Sequence, residues 1–271
     1  MIDCSLIISF YNRIDYLKLV LAGLERQTFR NFEIILADDG SNQNVISEIE
    51  SLSKQISFPF IHVWQEDKGF RKNSILNSAI RVSSADYLIF IDGDCIPHRN
   101  FINEHYKNRS SGQCLTGRRV NLSKQITNKL TYSSVKEGFL ENNMVSLIMD
   151  GLIGRSTYVE KGIYFESNVL RKYFNKKKRG LLGCNLSIHK ADIEKINGFD
   201  ERYQAPSIGE DSDVQFRLEL LGIKIETLNN IAIQYHLYHE LQKRPEKNLE
   251  LFAQVRKSAQ HFTPYGLNKY F

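Results

Sequence analysis

The sequence predicts an α/β fold, a mainly parallel central sheet flanked by helices. Two observations carry this expectation. Over the first 120 residues, strand-sized apolar runs alternate with stretches whose apolar residues recur at helical spacing. Four of those runs end in acidic, basic or aromatic residues, and parallel sheets bind ligands at the carboxyl ends of their strands.

The elements follow in order. Residues 4–10 form a buried strand, after which Ile14, Leu17, Leu21 and Leu24 mark a helix running to Gln27. A second strand, 32–37, ends at Asp38-Asp39-Gly40-Ser41, a turn in which Ser41 suits a helix N-cap. A polar helix over 43–54, a strand over 58–64, a helix over 72–82 and a strand over 87–91 complete the series. Beyond 120 the alternation fades, and residues 121–180 are mixed, ending in Lys176-Lys177-Lys178-Arg179. A strand-like piece over 181–188 leads to a short helix and a turn at Gly198-Phe199-Asp200. A helix over 211–221 carries Val214, Leu218 and Leu221 on one face and precedes a strand pair over 223–235. In the tail, 244–260, Leu249, Phe252 and Val255 mark an amphipathic helix that packs on the body. With no repeat and no low-complexity linker, the chain reads as one sheet-based domain, in two parts over 1–120 and 121–240, with a helical tail over 241–271.

Composition excludes several classes. The 271 residues carry 36 Lys+Arg against 31 Asp+Glu, a net charge of +5, with 42% hydrophobic and 25% charged residues. These are globular values, neither disordered, collagen-like nor coiled-coil. Apolar runs such as 6–10 and 87–91 fall far short of the ~20 residues a membrane helix needs. Asp3 stands where a signal peptide carries a base, so a cytoplasmic location is expected. Cys4, Cys95, Cys114 and Cys184 are widely spaced and read as buried thiols of a reducing compartment. Basic residues without interleaved aromatics or a recognition-helix signature argue against a nucleic-acid partner.

The strand ends concentrate chemistry: Tyr11-Asn12-Arg13, Asp38-Asp39, Gln65 to Arg71, and Asp92-Gly93-Asp94. Acidic groups gathered at one edge repel one another unless a cation or donors occupy the site, and Mg²⁺ or Mn²⁺ suits carboxylate oxygens. Asp-Gly-Asp alone is a common turn composition; at the end of an apolar strand, near a second acidic strand end, it is a candidate metal and nucleotide site. Trp64, beside Gln65-Glu66-Asp67, is a core residue or a sugar platform.

Taken in order, Tyr11-Asn12-Arg13, Asp38-Asp39-Gly40-Ser41 and Asp92-Gly93-Asp94 resemble the landmarks of family 2-type nucleotide-sugar glycosyltransferases of the GT-A (Rossmann-like) fold. Gly183-Cys184-Asn185-Leu186-Ser187, Gly198-Phe199-Asp200 and Gly209-Glu210-Asp211 resemble the acceptor half of the same enzymes. The likeness is nearest to those with a galactosyltransferase-like C-terminal region, such as bacterial transferases of glycosaminoglycan-like capsules. The resemblance implies that Tyr11 stacks on a uracil whose N3–H is accepted by Asp39 or Asp38. It sets Arg71 or Lys68 near the nucleotide or its phosphates, with Arg13 and Gly93 in the same nucleotide-sugar set. Asp92 would hold the ribose or a metal-bound water, and Asp94 would ligate Mn²⁺ or Mg²⁺. His236 is the first choice for a further metal ligand and His239 the second, the alternative being that both are ordinary packed or surface residues. Asp211 is the base, favoured at a helix N-terminus, and Glu210 the second choice as an acceptor-binding group. Asn185 contacts donor sugar or acceptor, or satisfies backbone in a turn. One carboxylate base without a second nucleophile implies inversion.

The expected reaction moves a hexose or N-acetylhexosamine from a UDP-sugar to a hydroxyl of a surface glycan or lipid-linked acceptor. Alternatives keep the fold with a GDP-, dTDP- or CDP-sugar, or reduce it to a non-catalytic glycan-binding module. A dinucleotide oxidoreductase is disfavoured, because the turn from Phe10 to Ile14 lacks glycine. The Lys176 to Arg179 run is a solvated loop, a lid over phosphates, or a contact with an acidic glycan or the inner membrane surface.

Overall fold

The computed structural model describes residues 1–176, 179–205, 210–240 and 246–268. Ten strands are described: β1 (Cys4–Phe10), β2 (Phe32–Asp38), β3 (Phe60–Trp64), β4 (Tyr87–Asp92), β5 (Cys95–Pro97), β6 (Gln113–Thr116), β7 (Arg118–Asn121), β8 (Asn185–His189), β9 (Lys224–Thr227) and β10 (Ile233–His236). Seven of them form one sheet in the order β3-β2-β1-β4-β8-β6-β9, and β5-β10-β7 form a second. Strands β1 to β4 pair in parallel, with Phe10 opposite Asp38 and Ser9 opposite Asp92, so their carboxyl ends lie level.

The first three crossovers are α1 (Ile14–Leu24), α2 (Gln43–Ser53) and α3 (Lys72–Val82). Side chains alternate across β1: Leu6 and Ile8 enter one core with Leu17, Leu21 and Phe32, while Ile7 enters the other with Leu76, Ile80 and Leu186. A sheet buried on both faces explains why its strands read as continuous apolar runs. Helix α1 stops before the expected Gln27 because that buried side chain turns back, its Nε2 donating to the carbonyls of Gly23 and His98. β3 starts at Phe60, not 58, because Pro59 has no N–H for the ladder; its carbonyl accepts from Ile34 N–H. Asn42, not Ser41, caps α2, accepting from the N–H groups of Asn44 and Val45.

The expected strand pair over 223–235 is not a hairpin. β9 pairs with β6 in the large sheet, whereas β10 lies between β5 and β7 in the small one. The piece expected over 181–188 becomes β8, Asn185–His189, antiparallel to both β4 and β6. Between β4 and β8 lie α4 (Phe101–Lys107), α5 (Lys124–Lys129), α6 (Tyr132–Lys136), α7 (Phe139–Asn142), α8 (Met144–Leu152) and α9 (Asn168–Phe174). α10 (Lys190–Lys195), α11 (Glu210–Leu220) and α12 (Glu246–Ser258) complete the described chain. As expected, the tail helix packs on the body: Val255 is buried and the Phe252 ring meets Phe216 of α11 edge-on at 6.4 Å. The four cysteines are buried and unpaired. Among the described residues, no helix is long and apolar enough to cross a membrane.

Candidate active site

The level strand ends open into a cleft of about 400 Å³ lined by Tyr11, Arg13, Asp39, Asp92, Gly93 and Asp94 of the expected set. Ser9, Asp67, Gly69, Phe70, Lys72 and His239 also line it. Tyr11 is 49% exposed at the rim, its hydroxyl donating to Asp67 Oδ2 at 2.9 Å. Arg13 stands over the Tyr16 ring, 5.1 Å from its centroid.

The two aspartates that end β2 do different work. Asp38 is fully buried and accepts from Ser41 N–H and Oγ on Oδ1, with His62 Nε2 3.0 Å from Oδ2. Its carboxylate holds the turn and does not line the cleft. Asp39 does line it, taking the Arg71 backbone N–H at 2.8 Å and Gln65 Nε2 at 2.5 Å. Burial pushes the Asp39 carboxyl above its ordinary value, and those two donors pull it back in part. Gly40 closes the turn at φ +101°, where a Cβ would meet the Asp67 backbone at 2.6 Å.

Arg71 therefore serves Asp39 through its backbone; its guanidinium binds the Glu66 carbonyl instead of lining the cleft. Lys68 is a surface residue, 63% exposed and paired with Glu66 at 2.7 Å. The cation that reaches the Asp92 side of the cleft is Lys72, whose Nζ lies 2.8 Å from Asp92 Oδ1. Sequence reasoning missed it, although its place at the start of α3, opposite the Asp92 strand end, was a usable signal. Ser9 Oγ donates to the same Oδ1 at 2.6 Å. Gly93 is required by a close approach: its N–H donates to the Ser9 carbonyl at 2.8 Å, and a Cβ would sit 3.0 Å from that oxygen.

Asp94 meets both candidate histidines. His236 Nε2 lies 3.5 Å and His239 Nε2 3.2 Å from Asp94 Oδ2, and the two imidazole nitrogens are 3.2 Å apart. Burial alone would raise the Asp94 carboxyl, but hydrogen bonds from the two histidines outweigh it and hold it well below the usual carboxylate range. The hydrogen bond with Asp94 raises His239 above its ordinary value. The fold sets this geometry, since β10 pairs His236 with Cys95 of β5 and Leu237 N–H donates to the Asp94 carbonyl. His239 Nδ1 lies 2.9 Å from the Glu240 carbonyl and donates its N–H there, which leaves Nε2 facing Asp94; that nitrogen carries the second N–H while it bonds the carboxylate and would offer a lone pair once a cation displaced the proton. One carboxylate oxygen and two imidazole nitrogens converging in this way fit a divalent transition-metal cation such as Mn²⁺ better than Mg²⁺, which favours oxygen ligands. Cys95 Sγ, 3.4 Å from Asp94 Oδ1, is kept a thiol by burial and is a poor partner for such hard cations.

Asn185, Asp211 and Trp64 stand apart from the cleft wall. Asn185 is fully buried and spent on the fold: Oδ1 accepts from Gly117 N–H and lies 3.0 Å from His105 Nε2, and Nδ2 donates to the carbonyls of Arg118 and Ala232. It has no atom left for a sugar. Asp211, in the first turn of α11, accepts from Gly183 N–H at 3.4 Å and Ser212 N–H at 2.8 Å and is not part of the cleft wall. The side chain of Glu210, with Gly209, lies outside the described residues, as do Lys177 and Lys178. Trp64 points outward, 47% exposed, with Nε1 donating to the Ser41 carbonyl.

Comparison with known proteins accords with this geometry. The chain is 23% identical over 241 residues to the chondroitin synthase of Escherichia coli, covering 86% of this chain and 34% of that one. It is 25% identical over 266 residues to the hyaluronan synthase of Pasteurella multocida, covering 95% and 26%. The chain thus spans about a third or less of these relatives' length. Among solved structures, S. aureus TarS superposes with a TM-score of 0.59 at 15% identity, over 94% of this chain and 39% of that one. The Pyrobaculum calidifontis mannosyltransferase PcManGT, solved with GDP-Man and Mn²⁺, superposes with a TM-score of 0.57 at 12% identity, over 94% and 69%. The fold is GT-A. Residues 167–240 match the model described as N-terminal domain of galactosyltransferase. Residues 5–159, more than half of the chain, match the glycosyl transferase family 2 model, and the chain belongs to that family.

Proposed function

We propose that the chain transfers a hexose or N-acetylhexosamine from a UDP-sugar to a hydroxyl of a glycan or lipid-linked saccharide, with inversion and with Mn²⁺ or Mg²⁺ bound. The observation that carries this reading is the convergence of Asp94, His236 and His239 beside a cleft walled by Tyr11, Asp39 and Asp92. The family supports nucleotide-sugar chemistry, and the TarS fragment, a relative in fold, was solved with UDP.

In this reading the exposed face of Tyr11 stacks on the uracil, and the Asp39 carboxylate, already oriented by Gln65 and Arg71 N–H, accepts the N3–H. Asp92, held by Ser9 and Lys72, orients the ribose, and Lys72 adds positive charge beside the diphosphate. Asp94, His236 and His239 would hold the cation, which neutralises charge on the departing diphosphate when bound. Asp211 takes the proton of the acceptor hydroxyl, a role typically worth ~10²–10⁴ in rate. Residues 1–120 would supply the donor contacts and 121–240 the acceptor contacts and base.

The test is thermal unfolding with UDP, GDP, CDP, dTDP and ADP, each with Mn²⁺ and with EDTA. A nucleotide at about 100 times its Kd adds ~2.7 kcal/mol, several degrees at this size. A shift confined to UDP with Mn²⁺ supports the reading. A shift with another base moves the donor, and no shift with any nucleotide removes the transferase reading.

A further inference from the structure

Residues 144–180 contain eight Lys and Arg against three Asp and Glu, a net +5 that equals the charge of the whole chain. Outside them, 28 basic residues balance 28 acidic ones. The same stretch displays an unusual amount of exposed apolar surface. On and just after α8, Val145, Met149, Leu152 and Ile153 recur at one-face spacing and are 57–76% exposed, while Leu147 and Asp150 turn inward. On α9, Val169, Leu170, Tyr173 and Phe174 share a face and are 43–77% exposed, and no residue of this helix is buried. α9 is tethered through its polar groups, Arg171 to Glu104 and Asn175 to the Asn229 carbonyl, which leaves its apolar face outward. Arg155, Lys172, Lys176 and Arg179 are exposed and interspersed with these residues along the chain, and the Lys176 ammonium lies 5.4 Å from the Tyr173 ring centroid.

An apolar helix face flanked by bases and tyrosines is the pattern of a helix lying in a lipid interface. The charge selects the partner. A second copy of this chain would bring the same +5 against itself, whereas an anionic bilayer offers both the apolar boundary and the complementary charge. We propose that α8 and α9 dock the protein on an anionic lipid bilayer. Leu152, Ile153, Val169 and Phe174 enter the boundary between headgroups and acyl chains, and Arg155, Lys172 and Lys176 meet the lipid phosphates. This surface is separate from the cleft and stands whatever the donor is.

Vesicle flotation of the whole chain tests it, comparing phosphatidylcholine alone with a roughly 7:3 mixture of phosphatidylcholine and phosphatidylglycerol. The expected result is flotation with the anionic vesicles only, weakened at about 0.5 M salt. Leu152→Ser with Ile153→Ser, and separately Lys172→Glu with Lys176→Glu, should each lower the partition coefficient by about fivefold or more. All four side chains are exposed, so both variants should keep the wild-type unfolding temperature. Equal binding to both vesicles, binding to neither, or variants that float like the wild type would overturn the proposal. So would a wild-type dimer that the Leu152→Ser, Ile153→Ser pair turns monomeric without altering flotation. Retention on an acidic polysaccharide without any flotation would reassign the surface to a glycan and overturn it equally.

Discussion

Lys72 Nζ lies 2.8 Å from Asp92 Oδ1, an ion pair that ties the first turn of α3 to the end of β4 inside the cleft. Both side chains are partly buried, at 15% and 26% exposure, so the pair is dehydrated enough to matter yet open to a ligand. If Lys72 faces the diphosphate, Lys72→Met loses one charge-assisted hydrogen bond, about 1.5 kcal/mol, and weakens UDP binding roughly tenfold. Calorimetric titration of UDP into wild type and variant checks this. An unchanged Kd would leave Lys72 as a fold residue.

Asp211→Asn should leave UDP binding within about twofold and lower kcat by ~10²–10⁴, because the amide cannot take a proton. Paired binding and initial-rate measurements separate the two quantities. A near-normal kcat would move the base elsewhere, with Glu210 first in line.

Asn185→Ala should act on stability and not on substrate binding. It strips partners from the Gly117 N–H, from His105 and from two carbonyls, all at buried positions. The expected loss is about 3 kcal/mol, read in denaturant unfolding, with KM for the donor near wild type. A stable variant with a raised KM would return Asn185 to the substrate.

Glu104 makes the attachment of α9 sensitive to acid. Burial alone would raise its carboxyl, but the Arg171 guanidinium at 2.8 and 2.9 Å, with the Tyr164 hydroxyl, outweighs burial and holds it below the ordinary 4.5. A folded value below the unfolded one gives stability that is complete above pH 4.5 and is lost as pH falls through the folded value. Hydrogen exchange in 164–175 should therefore quicken below pH 4.5 while β1 stays protected. Glu104→Gln should remove that dependence and cost about 2 kcal/mol at neutral pH, less than a fully buried pair because Arg171 reaches solvent.

The first 120 residues were legible because their strands are buried on both faces and their helices carry regular apolar spacing. β1 and α3 fall where periodicity alone sets them. Asp39, Asp92 and Asp94 were legible as strand ends, which topology brings to one edge whatever the side-chain detail. What the pattern could not resolve was side-chain direction. Asp38 and Asp39 are neighbours, yet one carboxylate closes a turn onto His62 and the other lines the cleft. The same holds for Lys68 and Lys72, four residues apart on either side of the Gly69 turn. β5, β6 and β7 span only three or four residues each, too short for a period of two to register. β9 and β10 were visible as strands, but only long-range pairing could assign them to different sheets.

That division of β9 from β10 has a consequence for how the cleft is kept in tune. His236 owes its position to two short ladders, Gln234 to His236 against Cys95 to Pro97 and Ile233 to His236 against Arg118 to Asn121, in a sheet separate from the one that bears Asp39. Side chains alternate faces, so sliding β10 by one step would present Tyr235 at that place and turn the imidazole away. The nucleotide edge would be untouched. In the proposed reading, cation affinity and base recognition can therefore drift apart under sequence change, the first through the length of the 228–232 connection and the second through the turns after β1 and β2.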